Sequence, residues 1–365
     1  MTSTPSPTRS LAGFTRDTRP GRIVFRDGAL DDLRGELESL GAQRAMLIVT
    51  QHDHHLAERA QFALADLPHV MWGEIRQHVP VELAERAVGA AIDKHVNVLV
   101  TVGGGSTIGL GKAVAVRTGL PLVCVPTTYS GSEMTPIYGL TSENDKRTAR
   151  DGRALPRVVI YDPRLLVSLP ADVVGPSGMN ALAHCAEALW AAHPDPITDA
   201  LALDGAQRLE RGLRSAYREP DGAARGEVMI ASCLAGMALG TVGTSIHHAL
   251  CHLLGGTYDT PHALTHAIVL PYAVKFVRPA VPGAIERLAA AMGTEPDGLP
   301  DAIWSLGRSV GTPQGLHAIG ITEAEVDQAA EAALAKGLPS PRPLNRSLMR
   351  CLLEDAWRGM PPGVQ

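Results

Sequence analysis

Apolar residues in the first half of the chain come in short β-branched runs; in the second half they recur at helical spacing. Residues 45–50 (Ala-Met-Leu-Ile-Val-Thr), 96–102 and 122–125 are runs of the first kind, and 158–161 (Val-Val-Ile-Tyr) is another. Each is bounded by turn residues or by a helical pattern, which predicts buried parallel strands. Between the first two, Leu83, Ala87, Val88 and Ile92 fall on one helical stripe, so residues 83–95 are expected to form the crossover helix of a βαβ unit. From about residue 165 the pattern changes: 179–192, 224–240 and 285–292 are Ala/Leu-rich and helical, and strand runs cease. The expected organisation is a ragged segment over 1–21, an α/β domain over 22–164 and an all-helical domain over 165–365.

Composition supports one or two real cores. The chain has 365 residues, 45% hydrophobic and 19% charged, which excludes wholesale disorder. The net charge of -5 leaves no basic excess for a phosphate backbone, so nucleic acid is not an expected partner. Five cysteines, at 124, 185, 233, 251 and 351, form no C-x-x-C pair, which fits a reducing compartment and no thiolate zinc site. Residues 1–20 lack the apolar core of a signal peptide. Residues 229–242 form the one stretch that suggests a membrane span, but it falls short of about 20 residues and is rich in Ala, Gly, Ser and Thr. A buried, closely packed helix in a soluble cytoplasmic protein is the expectation.

Residues 141–157 are charged and turn-rich, with Lys146, Arg147, Arg150, Arg153 and Arg157. A solvated loop is the plainer reading; a cationic rim over an anionic substrate is the sharper one.

Two constellations carry chemistry. The first is Thr101-Val-Gly-Gly-Gly-Ser-Thr-Ile-Gly109, after a strand and opening a helix. Gly103, Gly104 and Gly105 remove every side chain from the turn, so backbone N–H groups at the positive end of the helix can approach a pyrophosphate, with the Ser106 hydroxyl as a further donor. The spacing is not G-x-G-x-x-G, and a tight strand-to-helix turn is the alternative. Thr127 and Thr128, after the next strand, put two hydroxyls at another carboxyl end of the sheet, where ligands of open parallel sheets bind.

The second is a crowd of histidines. Of 14, five lie between His247 and His266, and His184 sits four residues after Asn180 in a helical run. His248 and His252 share a helix face at i, i+4, and His262 follows the Gly255-Gly256 break and Pro261, so it can fold back towards them. The arrangement suits a divalent metal or acid/base work. His247 and His266 are set aside, because neither shares the repeated spacing.

With these residues in view, the chain resembles the iron-containing alcohol dehydrogenase family, from about Arg22 onward. The matching motifs are Gly103-Gly-Gly-Ser106, Pro126-Thr-Thr128 with Gly131-Ser-Glu133, Gly178-Met179, His184, His248-Ala-Leu-Cys-His252 and Thr260-Pro-His262. The resemblance implies a Rossmann-like N-terminal domain, an all-α C-terminal domain in the dehydroquinate synthase-like architecture, and NAD(P)H in the cleft between them. It adds Gln51 and Ser132 to the cofactor residues and implies a homodimer. Gln51 stands near where the family places an acidic residue against the adenosine ribose; its neutrality removes repulsion towards a 2′-phosphate, so use of both NADH and NADPH is expected.

Two departures sharpen the resemblance. Metal-dependent members carry Asp where this chain has Asn180, with three histidines at the positions of His184, His248 and His262; an amide in place of a carboxylate argues against a tightly held metal. Many members carry Asp at the position of Gly109. Both changes are typical of the branch that reduces the carbon–carbon double bond of maleylacetate to 3-oxoadipate in aromatic catabolism, and residues 105–112 and 127–136 are similar to it. That function is the expectation, with His248 or His252 donating the proton, Asn180, His184 and His262 shaping the vestigial metal site, and Tyr129 in reserve as the acid. Arg147, Arg150, Arg153 and Arg342 are the candidate partners of the substrate carboxylates. The competitors are a metal-dependent alcohol dehydrogenase, a dehydroquinate synthase-like lyase and a non-enzymatic nucleotide-binding protein.

Overall fold

The computed structural model describes residues 21–50, 54–142, 145–192, 195–219 and 222–363. A six-stranded sheet is built from β1 (Arg22–Phe25), β2 (Ala45–Val49), β3 (His69–Trp72), β4 (Val98–Gly103), β5 (Leu122–Pro126) and β8 (Val158–Tyr161), in the order β1-β8-β5-β4-β2-β3. Every pairing in it is parallel. β6 (Ile137–Ser142) and β7 (Asp145–Arg150) form a separate antiparallel ribbon.

Both faces of the sheet are covered, which is why the central strands read as unbroken apolar runs. Leu47, Val49, Val100, Val102 and Val125 face α1 (Leu33–Ser39) and α2 (His54–Leu64). Met46, Ile48, Leu99 and Cys124 face α3 (Val81–Asp93), α4 (Gly105–Thr118) and the helical half of the molecule. That half runs through α5 (Ala171–Ala188), α6 (Pro196–Arg218), α7 (Gly222–Val242), α8 (Ile246–Tyr258), α9 (His262–Val277), α10 (Pro282–Ala291), α11 (Leu299–Ser309), α12 (Glu323–Ala335) and α13 (Arg346–Arg358).

The four expected strands are present, and the expected crossover helix is α3. β1 and β3 escaped the pattern because they are short edge strands with exposed positions. The expected solvated loop over 141–157 is corrected: it contains β7, whose Arg147 to Arg150 are exposed and so carry no apolar alternation to announce a strand. α7 is long and apolar enough to cross a membrane, but 67% of the qualifying window is buried inside the protein. Its small residues explain the burial. A Cβ at Gly236 would lie 2.1 Å from the carbonyl oxygen of Gly131, and one at Gly240 would lie 2.9 Å from that of Met134, so the loop after β5 rests directly on the helix backbone.

Candidate active site

β4 delivers the chain into the glycine turn at the carboxyl edge of the sheet. Gly103 has φ +155°, which side chains with a Cβ rarely adopt, and a Cβ there would meet Oγ1 of Thr107 at 2.5 Å. At Gly104 a Cβ would lie 2.9 Å from Cγ2 of Thr128. The first helical hydrogen bond of α4 runs from the N–H of Ile108 to the carbonyl of Gly104, and no side chain caps the helix. The N–H groups of Gly105, Ser106 and Thr107 are therefore left for a ligand, at the positive end of the helix.

The loop after β5 completes this rim. The N–H of Thr127 donates to the carbonyl of Gly103 at 3.1 Å, which sets Thr127 and Thr128 against the turn. Lys112, 1% exposed, holds the rest of the loop: Nζ donates to the carbonyls of Ser132, Thr135 (2.8 Å) and Ile137 (2.9 Å). Burial lowers its pKa to about 8 against the opposing pull of Cys124 and Glu133. Gly131 adopts φ +67°, and a Cβ there would lie 3.2 Å from Nδ1 of His184. The hydroxyl-bearing loop thus reaches the histidines. Tyr129, beside it, is fully buried; its hydroxyl has no partner among the described residues, and burial pushes its pKa up.

The histidines form a continuous cluster on α5, α8 and α9. Ring centroids lie 4.9 Å apart for His184 and His248, 4.5 Å for His248 and His266, 4.3 Å for His262 and His266, and 6.1 Å for His248 and His252. His266, set aside by the sequence reasoning, sits at the centre, and His247 contacts it with Nε2 3.0 Å from its Nδ1. Setting both aside is corrected. The signal was present: His262 and His266 repeat the i, i+4 spacing of His248 and His252. Burial, followed by repulsion from neighbouring rings, lowers the pKa of His184, His247 and His266 well below the usual value, so all three are neutral at neutral pH. His252 and His262 are half-buried and border solvent.

Glu187 is the residue that sequence reasoning missed. Fully buried on α5, it accepts Nδ1–H of His248 at 2.6 Å and the backbone N–H groups of Ser245 (3.0 Å) and His247 (2.7 Å). Its position three residues after His184 and seven after Asn180 puts it on their helix face, which was a legible clue.

Residues 20–163 match the iron-containing alcohol dehydrogenase family, and residues 175–357 match its C-terminal part. The chain belongs to this family. It is 43% identical over 357 residues to maleylacetate reductase 2 of Cupriavidus pinatubonensis, covering 97% of this chain and 99% of that protein. It is 40% identical over 352 residues to maleylacetate reductase of Pseudomonas knackmussii, covering 96% and 99%. The crystal structure of maleylacetate reductase from Agrobacterium tumefaciens superposes with TM-score 0.91 at 38% identity, covering 96% of this chain and all of that one.

The metal ligand set that the family resemblance implies is altered here. Asn180 supplies an amide, and its buried Oδ1 has no partner among the described residues. His184, His248 and His262 do not converge as a trio; the nitrogens within 4.8 Å of one another belong instead to His252, His262 and His266. A second such group, His247, Cys251 and His266, offers a thiol whose pKa burial pushes well up, so it stays protonated. The nearest carboxylate, Glu187, is committed to backbone N–H groups and to His248. Imidazole nitrogens suit Fe²⁺ or Zn²⁺, so His252, His262 and His266 could hold such an ion, but without the anionic oxygen that an Asp at position 180 would add.

The candidate arginines scatter. Arg150 donates to the carbonyl of Gly240, where α7 leads into α8, and Arg153 is paired with Asp151 at 2.6 Å. Arg147 lies exposed on β7, opposite Leu140. Arg342 is corrected: it donates to the carbonyl of Phe276, 14 residues along α9 from His262, which is about 21 Å at the helical rise. Gln51 lies outside the described residues.

Proposed function

We propose that this protein reduces the carbon–carbon double bond of maleylacetate to 3-oxoadipate with NADH or NADPH and without a metal. The observation that carries the reading is the likeness to maleylacetate reductases at about 40% identity over 96% of the chain, with Asn180 standing where a carboxylate ligand would be needed. The glycine turn and the N-terminus of α4 would hold the cofactor pyrophosphate, with Ser106, Thr127 and Thr128 supplying hydroxyls. A reduced nicotinamide bound there supplies hydride.

The electronics of the substrate make a Lewis acid dispensable. Hydride adds to an alkene carbon, the π electrons move onto the conjugated ketone oxygen as an enolate, and a proton then adds to the adjacent carbon. Neutral imidazole N–H groups stabilise the enolate oxygen, and the half-buried His252, in reach of solvent, is the residue best placed to pass on a proton. Arg147, Arg150 and Arg153 remain the proposed cationic partners of the two substrate carboxylates. A homodimer in the cytoplasm belongs to the same proposal.

The deciding experiment follows nicotinamide oxidation with fresh maleylacetate after exhaustive chelation. Full turnover is expected, with no stoichiometric metal in the protein. Loss of activity that added Fe²⁺ or Zn²⁺ restores would favour a metal-dependent alcohol dehydrogenase.

A further inference from the structure

A cavity at the carboxyl edge of the sheet plays no part in the chemistry above. It offers about 80 Å³, partly open to solvent, between α2, the loop after β5 and the segment leading into α5. Its walls are apolar on one side, from Leu56, Leu165 and Leu169, as a flat aromatic base requires. Thr127 lines it as well, and the Thr127 N–H is bonded to the carbonyl of Gly103, so the cavity adjoins the loop that rests on the glycine turn.

The charge on its remaining wall is the informative feature. His55 and Arg59 stand at i, i+4 on α2 and both line the cavity, whereas no acidic residue among the described lining does. A site that selects NADH places a carboxylate against the adenosine ribose hydroxyls, and a site that accepts NADPH places an arginine against the 2′-phosphate. A guanidinium matches phosphate oxygens with two parallel charge-assisted hydrogen bonds. We infer that this cavity takes the adenosine end of the cofactor and that Arg59, supported by His55, binds the 2′-phosphate and makes the enzyme favour NADPH. The inference rests on the reading of the glycine turn as the pyrophosphate site.

The test compares two probes that differ only in the phosphate at issue, 5′-AMP and adenosine 2′,5′-bisphosphate, by titration calorimetry on the full chain. The wild type should bind the bisphosphate more tightly. Arg59→Ala should weaken bisphosphate binding by about tenfold or more, the scale of a charged hydrogen bond, with no matching loss for 5′-AMP and no change in melting temperature. Arg59→Lys should restore part of the preference, and KM for NADPH should follow the same order while KM for NADH stays constant. Equal affinities of the wild type for both probes, or equal losses for both in Arg59→Ala, would overturn the inference while leaving NADH binding at the turn intact. Failure of the underlying reading looks different: the wild type would bind neither probe, and Gly104→Val would not alter NADH affinity.

Discussion

The carboxylate of Glu187 lies 2.6 Å from Nδ1 of His248 and clamps the start of α8 through the N–H groups of Ser245 and His247. The contact fixes the ring: Nδ1 carries the proton towards Glu187, and Nε2, which has no partner among the described residues, is turned away from it. Glu187→Gln keeps an oxygen for the backbone but can present N–H to Nδ1, which reverses the tautomer. We expect a folded variant with kcat lower by about 10- to 100-fold, the usual cost of losing an orienting partner, and unchanged NADH affinity. A folded Glu187→Gln protein with wild-type kcat would show that the tautomer is immaterial.

Gly104→Val should weaken NADH binding while the fold survives. The added Cβ would lie 2.9 Å from Thr128 and would stand where the backbone must approach a pyrophosphate. Cofactor affinity measured by fluorescence titration, alongside a thermal melt, separates this from unfolding. An unaltered dissociation constant in a folded variant removes the turn from the cofactor site.

How much of this was legible in the sequence depends on what each residue touches. The strand at 158–161 and the His248/His252 pair could be read because burial and helical register leave a periodic trace. Glu187 left only its position on the α5 face, since a buried carboxylate that serves backbone N–H groups has no motif of its own. His266 was set aside as lacking the repeated spacing, although it stands four residues after His262, and its contacts with His247 and His248 come from another helix. β7 was hidden by exposure, and the true surroundings of Arg342 by distance along α9. Such contacts are set by packing between helices, which spacing along one helix does not encode.

Acid should destabilise the protein through its buried histidines. His184, His247 and His266 have folded pKa values well below the usual value, so below about pH 6.5 the unfolded chain binds protons that the native state refuses. Stability therefore rises with pH up to that point and is lost below it, by at most about 1.4 kcal/mol per pH unit for each such histidine. Urea unfolding at pH 7.5 and 5.5 measures the slope, and His247→Asn should flatten it. An equal slope in the variant would show that His247 is not one of the groups responsible.

Asn180→Asp should create metal affinity where the wild type has little. The change returns an anionic oxygen to the helix face that carries His184 and stands across from His248. Calorimetric titration with Zn²⁺ reads binding directly, independent of turnover. Equal Zn²⁺ affinity in the two proteins would mean that the carboxylate was not the missing ligand.

Proton delivery is the step that separates His248 from His252. Their rings are 6.1 Å apart on one face of α8, but His248 is 3% exposed and tied to Glu187, whereas His252 is half-buried and open towards solvent. A group that must be reprotonated after each turnover needs that access, so His252→Phe should lower kcat by about 10²-fold or more, the scale of general acid catalysis, with less effect on NADH binding. His248→Phe should also lower kcat, by loss of a hydrogen bond to the developing enolate, and it should cost stability because Glu187 is left buried without its partner. The two variants have to be measured separately, since their shared face lets either ring stand in for the other. If both fold and keep near-wild-type kcat with maleylacetate across the pH range, the acid lies elsewhere. Tyr129 is then the weaker substitute, because burial pushes its pKa up, and His262 or water the better one.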